Sequence, residues 1–167
     1  ERECELHLED EVLDRTLAVS IYRPTRYPPI RGLSDLLGQH VICLKQHMEY
    51  AKPLAAAMIV CLKEGIFPDF SIDDVDLILP VPRHPDEMKI DGETGQQYNQ
   101  AELLAKYIAD GIGKPMRTDV LEKRMKFSMH GRTREERKML ARRGYLVRPH
   151  TAPEVRGKNI LLIDDIR

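Results

Sequence analysis

Apolar residues recur at helical spacing through much of the first half of the chain. Between residues 33 and 64 they stand three or four positions apart, as on one face of an α-helix, at Leu36, Leu37, Val41, Leu44, Met48, Leu54, Met58, Ile59 and Leu62. Pro53 lacks a backbone N–H and clashes with the preceding turn, so we expect it to divide this stretch into two helices or to kink one. A second helical stripe is predicted over residues 98–109, with Gly111 and Gly113 ending it.

Short apolar runs elsewhere are typical of buried strands. Residues 75–81 read Val-Asp-Leu-Ile-Leu-Pro-Val, and residues 159–166 form a second such run after a Gly157-Lys158 turn. Residues 116–121 are a candidate strand between them. Strands that alternate with helices predict an α/β fold, in which helices flank a parallel sheet.

The first 32 residues do not follow this alternation. Short apolar alternations there are interrupted by Pro24, Pro28 and Pro29, which predicts an irregular lobe, a strand pair or the remnant of a preceding module. Residues 33–167 are predicted to form the sheet-containing domain. Because the last apolar run reaches Ile166 with no polar tail, we expect this domain to be incomplete at its C-terminus.

Composition narrows the possible functions. A formal charge of −1 with 32% charged residues gives no overall attraction to nucleic acid or membranes. The cysteines Cys4, Cys43 and Cys61 are too scattered for a disulfide framework, and no signal-like or membrane-length apolar run is visible. A cytoplasmic protein without a membrane segment is expected, and local clusters must supply any binding chemistry.

The exits of the two strongest strands are two candidate places for a ligand, since ligands of open parallel sheets bind beyond the carboxyl ends of the strands. Residues 80–84 follow one strand, and Asp164 and Asp165 follow the other. Adjacent carboxylates suit a polyol or Mg²⁺, because their oxygens accept from sugar hydroxyls and coordinate hard cations. The alternative is a solvated pair that caps the next helix, and the residues alone favour neither.

A basic arm, residues 122–148, is a further candidate. Its only acidic residues are Glu122, Glu135 and Glu136, and its cations are Lys123, Arg124, Lys126, Arg132, Arg134, Arg137, Lys138, Arg142, Arg143 and Arg148. Guanidinium groups match phosphate oxygens bidentately, which favours a mobile arm that binds anions. The alternative is a solvated helix face.

Blocks of sequence in a fixed order resemble the ComF family of type I phosphoribosyltransferase-like proteins. They are Pro80-Val81-Pro82, the helix opening at residues 98–105, the basic arm, and residues 155–165, and the resemblance covers about residues 36–167. The last strand alone also resembles the first strand of a two-component receiver domain, but the upstream blocks argue against that interpretation. The resemblance implies a type I phosphoribosyltransferase-like (Rossmann-like) domain, truncated before the end of its phosphoribosyl-pyrophosphate motif.

The resemblance also implies roles for individual residues. Asp164 and Asp165 would act as catalytic residues that hold the ribose hydroxyls, directly or through Mg²⁺. The turn at Val81, Pro82 and Arg83 would bind pyrophosphate. In the basic arm, Arg132 and Arg137 would neutralise the charge of pyrophosphate, and Arg137 would be a third catalytic residue.

The implied activity is pentosyl transfer, which moves ribose 5-phosphate from phosphoribosyl pyrophosphate to an unknown acceptor with Mg²⁺ as cofactor. The alternative that the resemblance implies is a non-enzymatic role in DNA uptake by competent bacteria. Its partners would be single-stranded DNA or a protein of the competence machinery. A homodimer is compatible with either function.

Overall fold

The computed structural model describes residues 36–67, 70–129 and 131–165. The helices in these ranges are α1 (Leu36–Cys43), α2 (Ala51–Lys63), α3 (Gln100–Ile112), α4 (Arg134–Gly144) and α5 (Ala152–Val155). The strands are β1 (Leu77–Pro80), β2 (Lys89–Ile90), β3 (Gln97–Tyr98), β4 (Leu121–Lys123), β5 (Tyr145–Val147) and β6 (Ile160–Ile163). The predicted lobe at residues 1–32 lies outside the described residues.

A small parallel sheet forms the centre of the fold. The strands β1 and β6 pair in parallel, with Leu77 opposite Ile160 and Pro80 opposite Ile163. On the other edge of β1, Ile78 makes a single parallel bridge with Met116. The chain is therefore mixed α/β with a parallel sheet and helices, and both strongly apolar runs are confirmed as strands.

Helices α2 and α3 cover one face of this sheet. Apolar side chains of the sheet and the two helices share one buried cluster, which includes Ile78, Ile163, Leu54, Leu104 and Ile108. The helix α3 runs through Gly111, which was predicted to help end it, and ends at Gly113, whose φ of 71° lies in the left-handed region that glycine adopts without strain. On the opposite face of the sheet, Leu77 and Leu79 pack against Val120.

The structure corrects two predicted helix boundaries. Pro53 lies in the first turn of α2 and does not interrupt the helix, because first-turn N–H groups have no hydrogen-bond partner within a helix. The break falls earlier, where the chain leaves α1 and forms a short 3₁₀ turn at Met48–Tyr50. Tyr98 was expected on the helix but belongs to β3, where it pairs with Lys89 of β2.

The predicted strand at residues 116–121 is also corrected. Only Met116 joins the parallel sheet, and the chain then bends at residues 118–120. In this bend the Arg117 guanidinium donates to both carboxylate oxygens of Asp119, at 2.9 and 2.7 Å. Regular strand structure resumes at Leu121, in the antiparallel pair of β4 with β5.

The basic arm folds as the β4–β5 hairpin with α4 inserted between its strands. A capping box begins α4: Glu136 N–H donates to the Thr133 hydroxyl oxygen (3.2 Å), and Thr133 N–H donates to the Glu136 carboxylate (2.8 Å). Within α4 only Gly144 is buried, so the helix presents its charges to solvent.

Candidate functional site

The two predicted strand exits meet at one edge of the sheet. Because β1 and β6 are parallel neighbours, the residues that follow Pro80 and Ile163 emerge side by side. The backbone N–H of Val81 continues the ladder by donating to the Ile163 carbonyl, at 2.9 Å. Residues 81–84 and Asp164-Asp165, which the sequence singled out as two separate strand exits, therefore lie together.

A charged cluster occupies this edge. Arg83 Nη2 lies 3.7 Å from Oδ1 of Asp165, whose side chain is only 8% exposed. The backbone N–H of Asp165 donates to Oδ1 of Asp164, at 2.9 Å, which holds the two acidic residues in one compact turn. The geometry places a cation from the β1 exit against an anion from the β6 exit.

Loss of solvation and like charge at this edge change the ionisation of Asp164. Loss of solvation and the adjacent Asp165 carboxylate raise the pKa of Asp164 to about 7, while Arg83 lowers it. A cation bound between the two carboxylates would relieve the repulsion between them.

The start of α3 is tied to the same edge. The Asn99 side chain caps α3 by accepting a hydrogen bond from Ala101 N–H (3.1 Å), and its amide nitrogen donates to the Val81 carbonyl (2.9 Å). The N-terminus of a helix carries a partial positive charge. The attachment of Asn99 to Val81 thus brings favourable potential for an anion toward the β1 exit.

The base of the basic arm closes another side of the cluster. Lys123 Nζ lies 2.5 Å from Oε2 of Glu87, on the turn that follows Arg83. Tyr145, opposite Lys123 in the hairpin, responds to the charges at the strand exits: burial raises the pKa of its hydroxyl, Asp164 and Glu87 raise it further, and Arg83 lowers it.

The predicted arm arginines are placed differently. Both Arg132 and Arg137 are exposed, and they contact their own segment: Arg137 Nε donates to the Arg132 carbonyl (3.1 Å), and Arg132 pairs with Glu136 at 3.8 Å. No ion pair or hydrogen bond joins either one to Asp164 or Asp165 among the described residues. The structure brings together Val81, Pro82, Arg83, Asp164 and Asp165, but not Arg132 and Arg137.

Sequence reasoning did not assign Asn99, Glu87, Lys123 or Tyr145 to the site. Asn99 could have been found, because asparagine directly before an apolar helical stripe is a typical N-cap. The contact between Glu87 and Lys123 had no local signal, since their partnership depends on how the hairpin folds back on the sheet edge.

Asp164 and Asp165 suit Mg²⁺ only if other ligands, such as substrate oxygens and waters, complete its coordination. Over residues 36–67, 70–129 and 131–165, no three or more His, Cys, Asp or Glu side chains converge to hold a metal. Mg²⁺ is commonly held by one or two carboxylates, with waters and substrate phosphates completing its octahedron. Asp164 and Asp165 fit that arrangement, with the substrate supplying the remaining oxygens.

No family model matches the chain, and no curated protein matches it. Within the described part of the chain, none of the helices combines the length and apolar character needed to cross a membrane.

Proposed function

We propose that this protein is a type I phosphoribosyltransferase-like enzyme of the ComF kind. In this proposal it binds phosphoribosyl pyrophosphate with Mg²⁺ and transfers ribose 5-phosphate to an acceptor. The observation that supports it best is the meeting of Arg83 with Asp164 and Asp165 at the carboxyl ends of two adjacent parallel strands. Ligands of open parallel sheets bind at such an edge.

The chemistry needs few groups from the protein. The anomeric C–O bond to pyrophosphate breaks, a bond forms from the anomeric carbon to the acceptor, and the acceptor loses a proton. Positive charge develops on the ribose and negative charge on pyrophosphate, so fixed charges of opposite sign stabilise the transition state. Mg²⁺, when bound, would neutralise part of the pyrophosphate charge.

Each charged residue of the cluster then has a separate task. Asp164 and Asp165 accept hydrogen bonds from the ribose hydroxyls and supply carboxylate oxygens to Mg²⁺. Arg83 and the backbone of residues 81–83 bind the departing pyrophosphate, toward which the N-terminus of α3 also directs its dipole. Arg132 and Arg137 would reach this anion only if the basic arm moved, since both are exposed and bonded within the arm.

Isothermal titration of the full-length protein with phosphoribosyl pyrophosphate and Mg²⁺ tests the proposal. We expect binding in the wild type, and a loss of at least about thirtyfold in affinity in Asp164→Asn/Asp165→Asn. The matched control is Asp73→Asn/Asp74→Asn, which removes two exposed adjacent carboxylates at the opposite end of β1. An absence of binding by the folded wild type, or equal losses in both double variants, would refute the proposal.

A second candidate function, contact with single-stranded nucleic acid, is favoured by the exposed cations of α4, among them Lys138, Arg142 and Arg143. Phe127 and Tyr145 stack edge to face on each other, at 5.6 Å, so they do not offer bases an open stacking platform. Such binding would rest on phosphate contacts and should weaken steeply with salt. An affinity for single-stranded DNA that does not change with salt would exclude it.

A further inference from the structure

An ion pair joins the basic arm to the turn that follows the β1 exit. Lys123, the last residue of β4, places its ammonium 2.5 Å from Glu87, and the two side chains are only 9% and 16% exposed. Glu87 belongs to a 3₁₀ turn at Pro85–Glu87, which begins directly after Arg83-His84. The partners therefore come from the two segments that must cooperate around a bound anion.

Aromatic rings around the Lys123 ammonium stabilise its positive charge. Lys123 Nζ lies 4.3 Å from the ring centroid of Phe127 and 5.8 Å from that of Tyr145. The negative faces of aromatic rings stabilise an ammonium group, most strongly where water is excluded. Gly144 leaves room for Phe127, because a Cβ at that position would lie 2.7 Å from Cζ of the ring.

Glu87 is ionised beside Lys123. Burial by itself would raise the pKa of Glu87, but the Lys123 ammonium, with smaller contributions from the backbone at His84 and Phe127, outweighs it and lowers the pKa. The Glu87 carboxylate therefore favours its ionised form, beside the Lys123 ammonium. An exposed ion pair of two long side chains would contribute little, whereas a buried pair is costly to break.

We propose that Glu87 and Lys123 form a latch that fixes the basic arm to the turn after β1. In this role they are positioning residues, because they hold the base of the arm near the turn that contains Arg83. Any movement of Arg132 and Arg137 toward the anion then starts from a fixed base at Lys123. The consequence for pyrophosphate rests on the proposed function, but the latch itself can be tested without a ligand.

Limited trypsin digestion reads the latch directly. The arm offers cleavage sites at Arg124, Lys126, Arg132, Arg134, Arg137, Lys138, Arg142 and Arg143, and Lys106 in α3 reports opening of the core. Glu87→Gln keeps every site, and we expect it to speed cleavage in the arm by at least about tenfold with Lys106 still protected. The matched control, Glu122→Gln, removes the neighbouring but more exposed pair with Arg148 (41% and 39% exposed) and should change the rate by less than about twofold.

Substitutions at Lys123 separate a latch from general packing. We expect Lys123→Met to speed cleavage of the arm as Glu87→Gln does. Lys123→Arg should keep cleavage as slow as in the wild type, since guanidinium also pairs with carboxylate and stacks on aromatic rings. If a single variant exposes Lys106 as well, the double variant Glu87→Ala/Lys123→Ala decides, because it leaves neither an unpaired buried charge nor long apolar side chains that could replace the contact. Fast arm cleavage with a protected Lys106 supports the latch. Cleavage of the arm at the wild-type rate in Glu87→Gln or in the double variant overturns it.

Titration with pyrophosphate and Mg²⁺ completes the test. A latch that positions the arm predicts weaker binding in Glu87→Gln, by about threefold to tenfold, and recovery of wild-type affinity in Lys123→Arg but not in Lys123→Met. Unchanged affinity in Glu87→Gln would overturn the positioning role. If the wild type binds neither pyrophosphate nor phosphoribosyl pyrophosphate, the proposed function fails, and the protease result still decides whether the latch exists.

Discussion

The side-chain amide of Asn99 donates a hydrogen bond to the carbonyl of Val81, at 2.9 Å, and so joins the start of α3 to the exit of β1. The same side chain caps the helix through Ala101 N–H. One residue therefore fixes both the helix that covers the sheet and the backbone turn that is proposed to bind pyrophosphate.

Replacing Asn99 should separate these two roles. Serine is a comparable N-cap but too short to reach Val81, so Asn99→Ser should lower the free energy of unfolding by about 1–2 kcal/mol, because the partly buried Val81 carbonyl loses its partner. Asn99→Ala loses the cap as well and should cost about 1 kcal/mol more. Urea denaturation measures both, and equal stabilities of the two variants would show that the cap contributes nothing.

A pH dependence is expected from Asp91, which joins the turn after β2 to the start of the Met48–Tyr50 turn. Its carboxylate accepts hydrogen bonds from Met48 N–H (2.8 Å) and from the hydroxyl and N–H of Thr94 (2.7 and 2.9 Å). The Met48 bond first, and then those of Thr94, lower the pKa of Asp91 to about 2. Since this folded-state pKa lies below the ordinary value, the stabilisation is complete above about pH 4 and is lost as the pH falls through about 2.

Thermal unfolding between about pH 5 and pH 2 measures this contribution. Asp91→Asn cannot titrate, so its deficit in melting temperature relative to the wild type should be largest near about pH 5 and should shrink toward about pH 2. A deficit that stays constant over the range would show that the hydrogen bonds of Asp91 do not favour its ionised form.

How much of this arrangement the sequence could predict depends on whether each signal was local. The runs around Leu77 and Ile160 were recognisable as buried strands from residue type alone, and the rule for ligands of parallel sheets singled out the exit of each. That Arg83 lies near Asp165 follows from the pairing of β1 with β6, which no local signal indicates. The helix α3 was predicted from its periodicity, although Tyr98 was assigned to it wrongly. Tyr98 stands at helical spacing from the apolar residues of α3, whether its own backbone is helical or extended. Only its pairing with Lys89 shows that it is extended.

The basic arm shows where local signals fail. Its charges predicted either a mobile anion-binding arm or a solvated face, and neither interpretation contained the β4–β5 hairpin. The hairpin depends on pairing between residues far apart in sequence, such as Lys123 with Tyr145, and its strands are too short to show a period. For the same reason the contact between Lys123 and Glu87 could not be predicted.

The fit between Gly144 and Phe127 can be tested with a pair of substitutions. An alanine Cβ at position 144 would overlap the edge of the Phe127 ring, so Gly144→Ala should cost about 1–3 kcal/mol in free energy of unfolding. Phe127→Leu removes the overlapping atoms, so Gly144→Ala should cost at least about 1 kcal/mol less in that background. Denaturant unfolding of the wild type and the three variants gives the coupling. Strict additivity would contradict the close packing of these two residues.

Gln100, the first residue of α3, is completely buried, and neither polar atom of its side chain has a hydrogen-bond partner among the described residues. An unsatisfied buried amide costs about 1–3 kcal/mol, so Gln100→Met, which keeps the shape and removes the polarity, should raise the free energy of unfolding by about 1 kcal/mol. Gln100→Glu adds a charge at the same place and should be strongly destabilising unless it is protonated. Urea denaturation distinguishes the cases. If Gln100→Met instead lowers stability by about 1 kcal/mol or more, the amide is bonded in solution, and an ordered water at this position should then be visible in a high-resolution crystal structure.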